Sequence, residues 1–444
     1  MVQIFIRLTE VPLLLAFWGA QLYGEWLMLS AIPAYLAIGD GGFAGAACRD
    51  MTMKSGADDQ QGALAVFQST WVLLLAVSVV AFLLAWVFAA VSPLHIWLGF
   101  SAITPTETKN VLLLLVIHVL IGFQSNLLNG GFWVAGKYPT GMVLVATTQL
   151  LEFLGLGLAV ILGGGPVQAA TGYVIGRILG TSFIWIGQRK VISWLRYGFA
   201  HASFKELKRL AVPAFASLAF PLGNALNIQG MRLVVGLALS PAAVAVFVPL
   251  RTLSRLALQP QAVIYRLIEP ELALAFGAED YSLFRRIFAK GCQLSLWGCI
   301  GACFFVGVTA KWIFPVWTGG KLVMHWPTYI FLLISVLLLC IWGTTLVALY
   351  ATNRHGSIAT FYIPIYGVLA LSLGYLGLKS LGLGGAAFAL FVVEATMVLL
   401  VVNASLRMVK MQITQWLKII LRPPFEIVCK VLTGLHQQFM STSK

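Results

Sequence analysis

The chain has 444 residues, 60% of them hydrophobic and only 10% charged, with a mean hydropathy of +0.91. Soluble globular domains carry about 25% charged residues, so this composition excludes one and implies a polytopic membrane protein. The formal charge of +14 is mainly topological: most of the 29 Lys and Arg fall in one set of alternating loops and in the tail, some lie inside helices, and Lys109, Lys311, Lys321 and Lys379 lie on the opposite side. That skew follows the positive-inside rule with both termini cytoplasmic, and no nucleic-acid partner is expected.

Apolar runs of about 20 residues predict about twelve crossings, near residues 2–18, 25–47, 63–91, 105–134, 140–162 and 167–187, then 211–236, 242–268, 287–314, 326–351, 357–377 and 383–406. The predicted fold is an all-α polytopic membrane protein with two parallel-repeat six-helix lobes around a central cavity. Residues 1–187 form the N-terminal lobe, 188–210 a basic interfacial linker, 211–410 the C-terminal lobe and 411–444 a cytoplasmic amphipathic tail. The start does not read as a secretory signal, because Arg7 and Glu10 interrupt it and no small-residue cleavage site follows. One turn apart, these two residues either neutralise each other or leave Arg7 facing a wet lumen.

In the second run, Tyr23-Gly24-Glu25-Trp26 gives an interfacial start with Glu25 solvated. Asp40 lies well inside the run, where a charge is costly and marks function. Gly41, Gly42 and Gly45 permit close approach of neighbouring backbones, and Arg49-Asp50 close the helix at a water boundary. Arg49 is a candidate for the cytoplasmic mouth, or a determinant of topology.

Gly19, Tyr23, Gly24, Trp26, Asp40 and Gly42, in this order around an apolar run, resemble the opening of the O-antigen and polysaccharide flippases of the MOP (MATE-like) exporter superfamily, and the layout extends the resemblance to about residue 410. The resemblance implies a bacterial inner-membrane transporter that moves a polyprenyl-diphosphate-linked oligosaccharide to the outer leaflet. It needs no cofactor, works with polysaccharide assembly proteins, and places Arg7 among the basic residues for the diphosphate. The resemblance implies about twenty more residues before the position of Met1. The first span is therefore either truncated or thins the bilayer locally.

Further along, Thr104-Pro105-Thr106-Glu107 and Ser203-Phe204-Lys205-Glu206 are capping boxes that open helices. His118, Gly122, Ser125 and Asn129 form a polar stripe on the fourth run, with Gln124 and Asn126 beside it, and Asn224, Asn227 and Gln229 answer it on the seventh. Such residues suit hydroxyl-rich sugars or interhelical hydrogen bonds. In the linker, Trp194, Tyr197 and Phe204 among bases suit the headgroup layer. The stretches from Ala135 and from Ala351 echo each other, each a basic turn, a helix with late Gly-Leu pairs and a Gly-rich exit, and imply repeats of the same orientation.

Arg251, Arg255, Gln259 and Arg266 follow at i, i+4, i+8 and i+15, an arginine face about 22 Å long. Guanidiniums on a spanning face need a wet lumen and match phosphate bidentately. Alternatively, Arg251 and Arg255 pair with Glu10 or Glu152, and Arg266 ends the helix with Glu269 and Glu271. Asp40, Glu10 and Glu152 are the leading ion-coupling carboxylates for a proton or sodium ion, with Glu25 and Glu394 behind them.

Cys292, Cys299 and Cys303 share a helix face but lack His or carboxylate at ligand spacing, so no metal site is expected. No catalytic signature occurs, and Thr318-Gly319-Gly320-Lys321 lacks the context of a phosphate loop. A membrane-embedded glycosyltransferase or polysaccharide polymerase would need a long extracytoplasmic loop. A MATE-type cation-coupled drug exporter would need an acidic cavity, against which the arginine face argues.

Overall fold

The computed structural model describes residues 2–424 apart from Gly41, Ser217, Asn353 and His355. Its regular structure there is entirely helical. In chain order the α-helices are α1 (Val2–Leu36), α2 (Phe43–Gly56), α3 (Gln60–Val91), α4 (Leu94–Trp97), α5 (Pro105–Val134), α6 (Tyr138–Ile161), α7 (Pro166–Val191), α8 (Phe204–Ala216), α9 (Ala219–Ala225), α10 (Met231–Ala238) and α11 (Pro241–Arg255). They continue with α12 (Gln259–Gly277), α13 (Tyr281–Trp317), α14 (Trp326–Ala351), α15 (Gly356–Ile363), α16 (Ala370–Leu381), α17 (Leu383–Val409) and α18 (Ile413–Ile420). Single π-helical turns lie at Leu226–Gly230 and Pro364–Leu369.

Among the described residues ten stretches are long and apolar enough to cross a membrane, two fewer than the expected crossings, and both differences have local causes. At Gly19 the backbone adopts φ 72 and ψ −179, so α1 is two helices, residues 2–18 and 20–36, joined at one glycine. The run expected at 211–236 is divided among α8, α9, a π-turn and α10, none of which is long enough alone. The run expected at 25–47 also ends early. A turn at residues 37–42 precedes α2, which continues past Arg49-Asp50 to Gly56.

The chain divides into two compact units, one of residues 1–249, 314–324 and 362–386, the other of residues 250–313, 325–361 and 387–444. This division does not fall at the basic linker.

In the first unit, breaks in α1 determine where its neighbours bind. Pro12 has no N–H for the carbonyl four residues before it, and Trp317 Nε1 donates to that Leu8 oxygen at 2.6 Å. The break at Gly19 leaves late carbonyls of the 2–18 helix without helical partners, and Lys321 Nζ donates to Leu15 O at 2.9 Å and Ala16 O at 2.7 Å. Gly24 permits a close approach, since a Cβ there would overlap the Pro241 carbonyl.

Glu25 is fully buried, which overturns the expectation of a solvated side chain. It accepts from Gln21 Nε2 at 2.9 Å and from the backbone N–H groups of Ser101, Ala102 and Ile103 at 2.7–2.9 Å. The expected capping box at Thr104 is present with Glu107 and with Pro105 in the first turn.

The linker is bound to this unit by side chains that accept and donate along its backbone. Gln68 Nε2 donates to Arg196 O, Gln68 Oε1 accepts from His201 N, and Ser69 Oγ accepts from Ser203 N. Trp194 and Tyr197 pack into the core around Phe67, Trp71 and Leu127 rather than onto lipid, while Phe199 and Phe204 are exposed. Arg209 on α8 clamps both Asp50 carboxylate oxygens and also Glu206. These acids hold its guanidinium more firmly protonated than usual, the Asp50 bonds most of all.

The sequence echo has a structural counterpart. Both α6 and α16 end at a positive-φ glycine, Gly163 after α6 and Gly382 after α16. In each case the next helix meets backbone on backbone through glycines, Gly155 against Gly172 and Gly377 against Gly385.

In the second unit, α12, α13, α14, α17 and α18 share a core containing Leu272, Phe284, Phe288, Cys292, Val347, Leu406, Trp416 and Ile420. Ser295 Oγ bridges Thr344 Oγ1 at 2.7 Å and the Cys340 thiol at 3.3 Å. The amphipathic α18 is tied to α13 by Trp297 Nε1 on Ile420 O and Gln293 Nε2 on Arg422 O. The remainder of the expected tail, from Phe425, lies outside the described residues.

Candidate functional site

The site is built on α7, where Gly172, Gly176 and Gly180 recur every four residues and so form one bare stripe. A Cβ on Gly172 would overlap Gly155 of α6, one on Gly176 would overlap the backbone of Leu151 and Glu152, and one on Gly180 would meet Thr148. The two backbones therefore touch, and Arg177, next to Gly176, is delivered beside Glu152. Gly122 of α5 makes room for it, since a Cβ there would lie 3.2 Å from Arg177 Nη2.

Arg177 Nε lies 2.9 Å from Glu152 Oε1, and His118 Nε2 approaches the same oxygen at 3.4 Å. Both contacts are ion-pair approaches rather than hydrogen bonds, and all three atoms are buried without a hydrogen-bond partner. His118 is held by its ring, stacked on Tyr173 with centroids 4.2 Å apart and planes 18° apart. A cavity of about 310 Å³ opens beside these groups and is further lined by Arg7, Glu10, Gln149 and Phe153. Glu10 faces the fields of two cations, Arg232 of α10 and Arg7 one turn before it, and Arg232 Nη1 also donates to Gln229 Oε1 at 3.0 Å. Two guanidiniums and two carboxylates thus line the cavity, and a third guanidinium, Arg232, lies near Glu10.

Arg7, His118, Glu10 and Glu152 are brought together here from the sequence-derived candidates. Arg251 and Arg255 line another cavity, in the second unit, with Ser254, Ser335 and Glu394. Its volume of about 20 Å³ accommodates a water. Glu394 is buried and accepts from Trp342 Nε1 at 2.7 Å. A 3₁₀ turn at Leu256–Leu258 interrupts the expected arginine face within one continuous helical stretch, Pro241–Gly277, and Gln259 and Arg266 lie beyond it on α12.

Arg49 is exposed on α2, Asn224 is exposed on α9, and Asn129 is half-buried with its Oδ1 unpartnered, as are both ends of the Gln124 amide. These α5 amides do not show the interhelical bonding that was one reading of the stripe. Asp40 is not inside a spanning helix. It sits in the turn before α2, where its Oδ1 accepts from Gly42 N at 3.0 Å and Gly42 takes φ 75. The Asp-x-Gly pair is a helix-entry turn. Burial raises the Asp40 carboxyl above its ordinary value, opposed by the N–H groups of Gly42 and Ala44. Arg177, Tyr173, Gln149 and Arg232 were absent from the sequence-derived set. A charge in a spanning run, set inside a repeating glycine stripe, is the signal that marks Arg177.

The architecture is that of an all-helical multi-pass membrane protein, and solved structures specify it further. An inward-facing multidrug-resistance MATE-family transporter of the MOP superfamily matches 92% of this chain and 95% of its own, at 14% identity and a TM-score of 0.78. The lipid II flippase MurJ in an inward closed conformation matches 94% and 88%, at 16% identity and 0.69. The MATE multidrug transporter DinF-BH matches 93% and 94%, at 14% identity and 0.67. The chain has the fold of the MOP-superfamily transporters. No family model and no curated protein matches it.

Proposed function

We propose that this chain is a flippase that moves a polyprenyl-diphosphate-linked oligosaccharide between leaflets by alternating access, in polysaccharide or O-antigen assembly at a bacterial inner membrane. The observation that carries the reading is the first-unit cavity, in which Arg7 and Arg177 face a polar space with Arg232 beside it. Arginine's planar fork suits phosphate oxygens, and a charged headgroup needs such a path because the hydrocarbon core is costly to it. Gln149 and His118 supply partners for sugar hydroxyls. Arg251 and Arg255 are a second basic pair, in the second unit, and Arg49, Arg266, Asn129 and Asn224 are further candidate contacts outside these two cavities.

Glu10 and Glu152 favour coupling to a proton or sodium ion, since each carboxylate shares the cavity with the arginine that an anionic headgroup would engage. The alternative, a cation-coupled drug exporter, draws on those same carboxylates; the arginines beside them weigh against it. Binding of polyprenyl diphosphate, polyprenol and a cationic dye to the purified protein tests the choice. The flippase reading expects tighter binding of the diphosphate than of polyprenol, reduced about tenfold or more in Arg177→Gln, from the value of a hydrogen bond to a charged group. Tight dye binding with no preference for diphosphate over polyprenol would reverse the assignment.

A further inference from the structure

Helices α17 and α18 enclose a groove of about 790 Å³, within the ~300–1,000 Å³ range of small-molecule sites. Leu399, Val402, Leu406, Trp416 and Leu417 give it an apolar wall. It becomes polar where α17 gives way to α18, with Arg407 in the last turn of α17 and Lys410 and Gln412 before the start of α18. No side chain caps that helix, so its first N–H groups and dipole favour an anion there. Charge at this end is one-sided, because residues 395–424 contain no Asp or Glu while carrying Arg407, Lys410, Lys418 and Arg422. The wall is also firmly placed: Trp416 and Ile420 are buried in the core, and the bonds from Trp297 and Gln293 fix α18 to α13.

We propose that this groove is a specific site for an anionic phospholipid, an acyl chain lying along the apolar wall and the headgroup phosphate meeting Arg407, Lys410 and the start of α18. An apolar trough that ends in a cation pair at an uncapped helix start matches a molecule with a long hydrocarbon and one phosphate. By the positive-inside rule a basic end of this kind is expected at the cytoplasmic leaflet, where anionic lipids are concentrated. The site is separate from the first-unit cavity and stands whatever that cavity transports.

Native mass spectrometry of the full chain, titrated with phosphatidylglycerol and with phosphatidylcholine of the same acyl chains, tests it. The wild type is expected to retain one phosphatidylglycerol in preference to phosphatidylcholine. Arg407→Gln with Lys410→Gln should reduce that preference about 25-fold, taking about fivefold for each basic charge at the headgroup level. Leu399→Trp, which fills the apolar wall, should weaken both lipids at this site, and Arg189→Gln with Lys190→Gln, at the exposed end of α7, should leave the preference unchanged. An undiminished preference in the Arg407/Lys410 variant, an equal loss in the Arg189/Lys190 variant, wild-type binding by Leu399→Trp, or displacement of the lipid by inorganic phosphate alone would overturn the proposal.

Discussion

Arg177 and Glu152 meet as a buried ion pair, Nε to Oε1 2.9 Å, with only 4% of Glu152 exposed. The contact exists because three glycines remove every side chain that would hold α6 and α7 apart. Breaking a buried pair leaves one charge uncompensated and costs about 3–5 kcal/mol. Glu152→Gln should therefore lower thermal stability markedly, and Glu152→Gln with Arg177→Gln should recover most of the loss. Equal, additive losses in the two single variants would show that the groups act independently.

The glycine stripe itself is open to a steric test. Gly176→Leu must displace the backbone of Leu151 and Glu152, and overpacking of this type costs about 1–3 kcal/mol. Gly45→Leu, where a Cβ meets nothing within 4 Å, should be tolerated. Thermal unfolding of the two purified variants makes the comparison.

Trp317 and Pro12 are coupled through one carbonyl. Trp317→Phe leaves the part-buried Leu8 O without this donor, a cost of about 1 kcal/mol, the net value of a typical hydrogen bond. In a Pro12→Ala background the backbone N–H gained at that position can complete the helical bond to the Leu8 oxygen. Trp317→Phe should then cost much less, which a double-mutant cycle on thermal stability measures directly.

Asp40 carries a pH signature. Its carboxyl is raised by burial, so the folded chain binds this proton more tightly than the unfolded one. The contribution of Asp40 to stability is therefore present at low pH, below the unfolded value near 3.9, and is lost as pH rises through the raised folded value. Asp40→Asn keeps an acceptor for Gly42 N and should flatten the dependence of melting temperature on pH above about 4. An unchanged profile would place the titrating group elsewhere.

Most helices, some of their termini and the echo between α6 and α16 were legible in the sequence because they rest on local signals: apolar length, the Thr104–Glu107 box, and Gly-rich exits that recur at Gly163 and Gly382. The breaks were less so. The first run was expected to end at residue 18, where Gly19 does break α1, but Asp40 in a run of small residues reads as helix until the Gly42 turn is seen. Arg7, Glu10, His118 and Glu152 were identified as polar groups in spanning runs, which is a one-dimensional signal. Their assembly with Arg177 depends on which helix faces touch, and that is decided by the α7 glycines. Glu25 was misread for the same reason: its partners are backbone N–H groups at 101–103, about 76 residues away in the chain.

The central claim is that a diphosphate-linked lipid is the cargo. Its most direct test is transport in proteoliposomes of a fluorescent polyprenyl-diphosphate oligosaccharide, beside a cationic dye, for the wild type, Arg7→Ala with Arg177→Ala, and Arg251→Ala with Arg255→Ala. The account predicts lipid-linked sugar movement in the wild type and its loss in the Arg7/Arg177 variant when the two are compared at equal amounts of folded protein. Dye efflux without any movement of the lipid-linked sugar would contradict it.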